Sequence, residues 1–167
     1  RDTIGLERFP GLLQYEGGDK RYIIAPQGLK VGDSVIISEK AEIKSGNRMQ
    51  LGNIPVGTSI HNIEIQQGKG GKMVKGAGTS AIVLAQEGRF THVQMPSGEV
   101  RKFFNDCFAS IGAISRSEHM FTRLVKAGRM RHKGVRPRVR GTAMNPCDHP
   151  HGGGEGRCPV GMPHPKT

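Results

Sequence analysis

Glycine and proline interrupt this chain about once in every five residues, with 25 glycines and 10 prolines among 167 residues. Between these breaks lie short apolar or alternating runs at 22–25, 35–37, 80–85, 90–95 and 100–104. Their spacing leaves little room for long helices and is typical of short strands joined by tight turns. The sequence therefore predicts a mostly β fold built around a small antiparallel barrel.

One short helix is predicted after the last of these strands. Ser115 and Glu118 have the spacing of a capping box, in which the two side chains satisfy free backbone amides at a helix start. An apolar stripe follows, formed by Phe121, Leu124 and Val125. Since Gly128 can end such a helix, we expect a short helix that packs on the barrel.

The pattern of apolar residues ends after Gly128. Residues 129–167 contain six prolines and a run of three glycines at 152–154. A segment of this composition buries too little apolar surface to offset the entropy of ordering its chain. The sequence therefore predicts an extended arm over 129–167 that becomes ordered against a partner.

The net charge of +11 is concentrated near this arm. Residues 1–100 carry 12 basic and 10 acidic side chains, whereas residues 101–167 carry 13 basic and 4 acidic ones. The stretch 123–140 holds eight basic residues and no acid. A charge run is usually a solvated helix face, but a surface of one sign repels itself unless a polyanion neutralises it. The distribution therefore predicts nucleic-acid binding.

Three classes of residue are the candidate RNA contacts. Arginine and lysine in the arm are expected to contact phosphates: Arg129, Arg131, Lys133, Arg136, Arg138 and Arg140. Polar groups further on are expected to meet ribose hydroxyls and base edges: Asn145, His149 and His151. Three lysines accompany the glycine-rich stretches 68–71 and 76–78: Lys69, Lys72 and Lys75.

The glycine-rich stretches allow two interpretations. They lack the spacing of a nucleotide-binding P-loop. One interpretation is a flexible hairpin tip. The other, which the neighbouring lysines favour, is a backbone that approaches an RNA phosphate closely because glycine has no side chain to obstruct it.

A metal site and a cysteine nucleophile are two further hypotheses for the arm. The residues that suggest them are Cys147, Asp148, His149, His151, Cys158 and His164. Structural zinc sites use close, regular ligand pairs, which this spacing does not provide. A nucleophile needs a pocket that a proline- and glycine-rich segment does not supply. We expect no metal site and no catalytic residue, while a metal-dependent RNA-processing enzyme and a free-standing DNA-binding module stay open as alternatives.

Three cysteines without regular spacing make a disulfide-linked secreted domain a poor fit, and favour a reducing compartment. The chain has no window of 18 apolar residues, so no association with a membrane is expected.

Two long motifs in the arm carry a resemblance to a known family. The stretches 140–146, reading Arg-Gly-Thr-Ala-Met-Asn-Pro, and 148–156, reading Asp-His-Pro-His-Gly-Gly-Gly-Glu-Gly, closely resemble the signature of ribosomal protein L2, in its bacterial and organellar form. Shorter matches lie upstream at 21–26, 53–57, 61–62, 68–71, 77–79, 118–120, 126–128 and 134–137. The resemblance covers about residues 20–157.

The resemblance implies an architecture in three parts. Residues 1–38 would form the end of an OB-like barrel, residues 39–128 an SH3-like barrel with the short helix, and residues 129–167 an RNA-binding extension. The chain is shorter than the family at both ends, which implies that a separate chain supplies the rest of the first barrel. Cys147 stands where the family usually has an aliphatic residue. We expect this difference to change only the packing around that side chain.

The resemblance also implies a role. The protein would be a structural part of the large ribosomal subunit, bound to rRNA near the peptidyl transferase centre, supporting subunit assembly and association. Its partners would be rRNA and neighbouring ribosomal proteins, with no cofactor apart from structural Mg²⁺ that the rRNA can hold. His149 matches the family histidine nearest that centre, yet the reaction belongs to RNA. The shortened ends favour a mitochondrial ribosome, with a plastid or bacterial cytoplasmic one as alternatives.

Overall fold

The computed structural model describes residues 10–154, and these residues divide between Arg123 and Leu124 into two compact units. The described chain is mostly β, with one short α-helix. The first unit contains all the strands, and the second contains the helix. No described helix is long and apolar enough to cross a membrane.

The first unit opens with a two-stranded antiparallel hairpin. Strand β1 (Pro10–Gln14) pairs with β2 (Lys20–Ile24), and Leu12 lies opposite Tyr22. The apolar run at 22–25 predicted β2, whereas β1 was not predicted because its Pro-Gly start is typical of a turn.

Six further strands are β3 Arg48–Gln50, β4 Ser59–His61, β7 Ala81–Glu87, β8 Phe90–Gln94, β9 Val100–Phe104 and β10 Phe108–Ile111. They form one antiparallel sheet in the order β3-β10-β4-β7-β8-β9. Strands β5 (Ile63–Glu64) and β6 (Gly71–Met73) form a separate short hairpin. The expectation of short antiparallel strands is thus confirmed. Among the described residues, however, no hydrogen-bonded ladder joins the edge strands β3 and β9 to close a barrel.

The core lies on one face of this sheet and follows from the alternation of its strands. Val83, Val93 and Phe103 point inward from β7, β8 and β9, and the residues between them are more exposed. Met49 and Ile60 complete the same apolar cluster from β3 and β4. Each fully buried side chain of this size contributes about 1.5–3 kcal/mol to folding.

The run at 35–37 does not form the expected strand. Ile37 makes one isolated parallel bridge with Arg48, and Ile36 and Ile37 are each 48% exposed. The Ile36 amide is instead held by the side-chain oxygen of Asn47, 2.9 Å away. The backbone pairs only with Arg48, whose amide donates to the Ile36 carbonyl at 2.9 Å and whose carbonyl accepts from Ser38 at 3.2 Å, which is too short a ladder for a strand.

The helix predicted from the capping box is wrong in its position. Residues Ser117–Phe121 form a 3-10 helix, and helix α1 begins at Ala127, where the prediction had its helix ending. Phe121 and Val125 are 74% and 83% exposed, so these two residues of the predicted apolar stripe are not buried. The backbone of Ser115 is held by long-range bonds to Ala25 and Gly78, which leaves the capping geometry unavailable.

The second unit corrects the expectation of a fully extended arm. Helix α1 spans Ala127–His132, a 3-10 turn spans Gly141–Ala143, and a hydrogen-bonded turn follows over 145–153. Local hydrogen bonds therefore give this proline- and glycine-rich segment structure without an apolar core. Whether a partner orders it further stays a prediction.

Candidate RNA interface

The residues 123–140, called the basic segment below, present their charges to solvent. Arg129 and Arg131 lie on α1, and Lys133 caps its end with its amide 3.0 Å from the Met130 carbonyl. Beyond the helix, Arg136, Arg138 and Arg140 alternate with other residues along an irregular stretch, and every residue from 129 to 140 is exposed.

No acid balances this charge locally. The eight basic side chains of the basic segment form no ion pair with a carboxylate in the described part of the chain. Elsewhere, three arginines of the described chain pair with acids: Arg21 with Asp19, Arg48 with Glu64 and Arg101 with Glu99. The basic segment is therefore a solvated cationic surface of the kind that phosphates neutralise.

Residues 141–153, called the histidine turn below, fold back on themselves. The amides of Asp148 and His149 both point to the Asn145 carbonyl, at 3.0 and 3.3 Å. The Gly152 amide donates to the His149 carbonyl at 2.8 Å, and Gly153 donates to Met144 at 3.3 Å. This network brings the predicted residues Asn145, His149 and His151 together within one compact turn.

Three glycines allow the histidine turn to close. A Cβ at Gly141 would overlap the His149 ring, and one at Gly152 would overlap the Asn145 carbonyl. Gly153 has a positive φ of 76° and packs against the Pro146 ring. Each of these glycines therefore lies against the segment's own chain.

The two histidine rings constrain each other's hydrogen bonding. The backbone amide of His151 donates to Nδ1 of His149 at 3.0 Å, so that nitrogen is an acceptor and carries no proton. The neutral His149 ring then bears its proton on Nε2. The rings meet edge to face, with centroids 4.9 Å apart. His151 Nε2 is buried without a hydrogen-bond partner among the described residues.

The three lysines of the first unit do not share one environment. Lys69 lies in the turn between β5 and β6, where Gly68 and Gly70 have positive φ angles of 75° and 73°, and Lys72 is exposed on β6. This location matches the hairpin-tip interpretation and leaves both cations free to meet a phosphate. Lys75 is half-buried and lines a cavity of about 270 Å³ with Tyr22 and Arg48.

A buried ion pair anchors the hairpin that carries Lys69 and Lys72. Glu64 and Arg48, whose side chains are 7% and 14% exposed, meet at 2.9 Å. The second carboxylate oxygen of Glu64 accepts from the Phe108 amide at 3.2 Å and from Gly68 at 3.4 Å. Sequence reasoning missed both residues. The one available signal was the position of Glu64 within a Val/Ile-rich strand region. An acid that simply points outward from a strand into solvent would give the same pattern.

His61 and Cys107 are the titratable groups whose burial changes their chemistry. Burial lowers the pKa of His61, although its Nδ1 lies 2.8 Å from the Gly112 carbonyl, and the positive charge of Arg48 lowers it further. Burial raises the pKa of the Cys107 thiol, as does the negative charge of Glu64. Both pKa shifts favour the uncharged form of the side chain at neutral pH.

Four of the residues considered as metal ligands lie in the described chain: Cys147, Asp148, His149 and His151. Among residues 10–154, no group of three or more His, Cys, Asp or Glu side chains is placed to hold a metal ion. Cys158 and His164 lie outside the described residues. Helix α1 has six residues, which is short for the recognition helix that the DNA-binding alternative requires.

Comparison with known families adds one finding to this geometry. The model of the family described as Ribosomal Proteins L2, C-terminal domain, matches residues 44–167, about three quarters of the chain. The match contains the six-stranded sheet, the basic segment and the histidine turn.

Proposed function

The chain belongs to the ribosomal protein L2 family, and from this membership we propose that it binds rRNA near the peptidyl transferase centre and supports assembly and association of the subunits. The family gives it the role of a structural, non-enzymatic, rRNA-binding component of the large ribosomal subunit. What we propose beyond this role is the position of the protein within the subunit and the residues that contact the rRNA.

The observation that carries the proposal is the unpaired charge of the basic segment. Eight basic side chains without a described carboxylate partner form a surface whose self-repulsion a phosphate backbone removes. Arginine suits this role because its planar guanidinium group donates two parallel hydrogen bonds to a phosphate. We assign phosphate contacts to Arg129, Arg131, Lys133, Arg136, Arg138 and Arg140, and to Lys69, Lys72 and Lys75.

The histidine turn supplies directional contacts beside this charge. Because His149 Nδ1 already accepts from the His151 amide, its Nε2 donates to a ligand oxygen such as a ribose hydroxyl or a base carbonyl. Asn145 is exposed at the same turn and offers both a donor and an acceptor. These three side chains are proposed to enter the folded RNA as binding groups.

The finer architecture and location belong to the same proposal. We assign residues 39–128 to an SH3-like barrel, residues 1–38 to the end of an OB-like barrel, and residues 129–167 to the RNA-binding extension. A mitochondrial ribosome is the proposed location, with plastid and bacterial ribosomes as the alternatives. Neighbouring ribosomal proteins and Mg²⁺ held by the rRNA would complete the environment.

The test is the salt dependence of binding to a large-subunit rRNA fragment. Each phosphate neutralised contributes about −0.9 to the slope of log K against log salt on a duplex, and about −0.7 on a single strand. We expect a steep slope for the full chain, reduced by about two to three units in the triple variant Arg136→Gln, Arg138→Gln and Arg140→Gln.

Arg101→Gln is the matched control, because this exposed arginine is already paired with Glu99 at 3.0 Å. It should leave the slope unchanged. A slope near zero for the unaltered chain would overturn the proposal, and equal affinity for duplex DNA in competition would favour the DNA-binding alternative.

A further inference from the structure

The β5–β6 hairpin, which carries Lys69 and Lys72, is separate from the six-stranded sheet. Strand β5 has two residues and β6 has three, and in the part of the chain that the structure describes no hydrogen-bonded ladder joins them to that sheet. An isolated hairpin of this size has little stability of its own in water. The contacts that fix its base therefore determine how its two lysines are presented.

Two left-handed residues face each other where the hairpin begins and ends. Asn62 and Val74 have φ angles of 51° and 52°, and the Asn62 amide donates to the Val74 carbonyl at 2.8 Å. We call this pair the hairpin neck. Asparagine adopts such a conformation at little cost, whereas a β-branched valine does so only where the surrounding structure imposes it. The Val74 side chain packs against the apolar core, which supplies part of that constraint.

Arg48 joins the hairpin neck to the buried carboxylate of the hairpin. One terminal nitrogen of its guanidinium group donates to the Asn62 carbonyl at 2.8 Å, and the other donates to Glu64 at 2.9 Å. The same two nitrogens reach the Ser110 hydroxyl at 3.3 Å and the Phe108 carbonyl at 3.4 Å on β10. One planar group on β3 therefore ties the base of the hairpin to two strands of the six-stranded sheet.

This network of contacts extends to the residue before each lysine. The Gly68 amide, which directly precedes Lys69, donates to the Glu64 carboxylate at 3.4 Å. Gly71, which directly precedes Lys72, packs so closely on the asparagine of the hairpin neck that a Cβ there would overlap it. The backbone on which both lysines stand is therefore held by groups that Arg48 holds in turn.

We propose that Arg48 is a positioning residue, which fixes the hairpin neck and thereby presents Lys69 and Lys72 together to the phosphate backbone of rRNA. The inference rests on the proposed function, which assigns these lysines to phosphates. A group that is held in place before binding loses less conformational freedom on binding, so positioning strengthens the complex without a new contact. Arg48 acts through the hairpin, since its side chain is 14% exposed and its guanidinium group is already engaged.

A double-variant cycle tests this role, with the full chain binding a large-subunit rRNA fragment. Lys69→Gln with Lys72→Gln should reduce the steepness of log K against log salt by about 1.4 to 1.8, at about 0.7 to 0.9 for each phosphate contact. Arg48→Lys keeps a positive charge beside Glu64, but one nitrogen cannot take the place of two, so the bond to the Asn62 carbonyl is lost. We expect Arg48→Lys alone to reduce the steepness by a similar amount. The two lysine changes should then reduce it no further.

The salt slope distinguishes positioning from a general loss of folded protein. A variant that only lowers the folded fraction reduces K by the same factor at every salt concentration and leaves the slope unchanged. Arg101→Lys is the matched control, because it makes the same substitution at an exposed arginine that pairs with Glu99 at 3.0 Å. In its background the two lysine changes should act at full size.

The outcomes separate this inference from the proposed function. If the lysine changes reduce the slope equally with and without Arg48→Lys, the lysines act independently of Arg48 and the inference is overturned. It also fails if the lysine changes have no effect while the triple variant of the basic segment does, although the proposed function then stands. A slope near zero for the unaltered chain overturns the proposed function itself. If Arg48→Lys does not fold, Val74→Gly frees the hairpin neck without changing a buried charge and is judged by the same outcomes.

Discussion

Removing the carboxylate of Glu64 should destabilise the first unit far more than removing an exposed acid. This side chain is 7% exposed and accepts from Arg48 at 2.9 Å, from the Phe108 amide at 3.2 Å and from the Gly68 amide at 3.4 Å. In Glu64→Ala, the Arg48 guanidinium stays buried, at 14% exposure, without its counter-charge. Breaking a buried pair in this way costs about 3–5 kcal/mol, a large part of a total stability of about 5–15 kcal/mol.

Equilibrium unfolding in urea measures this cost, with the change read from the midpoint at constant slope. Glu99→Ala is the control, because Glu99 pairs with Arg101 on the surface, where such pairs contribute about 0–1 kcal/mol. The double variant Glu64→Ala with Arg48→Met should recover part of the loss, since it removes the uncompensated charge as well. A cost for Glu64→Ala no larger than for Glu99→Ala would refute the reasoning.

Three further outcomes follow from the same contacts. Gly141→Ala should weaken rRNA binding at least about tenfold, equal to ~1.4 kcal/mol, because its Cβ overlaps the imidazole that the glycine faces. Gly128→Ala, whose Cβ meets nothing within 4 Å, should bind normally in the same filter assay. Burial lowers the pKa of His61 in the folded protein, so as the pH drops below 6.5 this histidine is protonated in the unfolded chain before it is protonated in the folded one. The free energy of unfolding should therefore fall as the pH drops below 6.5. Unfolding curves at several pH values should lose that dependence in His61→Gln. Exposed Cys147 should react with a thiol reagent under native conditions, whereas buried Cys107, with its raised pKa, should react only after unfolding, as mass spectrometry of labelled peptides would show.

The strand pattern of the first unit could be predicted because alternation is a local property. On β7, β8 and β9, neighbouring residues point to opposite faces of the sheet, so the runs at 80–85, 90–95 and 100–104 locate these strands. Charge is equally local. Eight bases without an acid in 123–140 predict a polyanion partner before any contact is known.

The helix near residue 120 could not be predicted from the same kind of evidence. The spacing of Ser115 and Glu118 satisfies the capping rule, but distant parts of the chain hold the Ser115 backbone, through bonds to Ala25 and Gly78. Arg116 then adopts a left-handed conformation with φ of 67°, and a 3-10 turn follows in place of an α-helix. The capping preference for a helix start is about 1 kcal/mol, and the tertiary hydrogen bonds of Ser115 outweigh it.

The sequence by itself determined the β class, the family resemblance and the location of the cationic charge, because composition, periodicity and motif order belong to the chain alone. The tertiary structure decided which side chains meet. Arg48 reaches Glu64 from another strand, Phe90 lies opposite Phe104 through sheet register, and Gly141 packs against His149 through the turn between them. Such contacts join residues 8 to 16 positions apart, and the path of the backbone between them sets their distance.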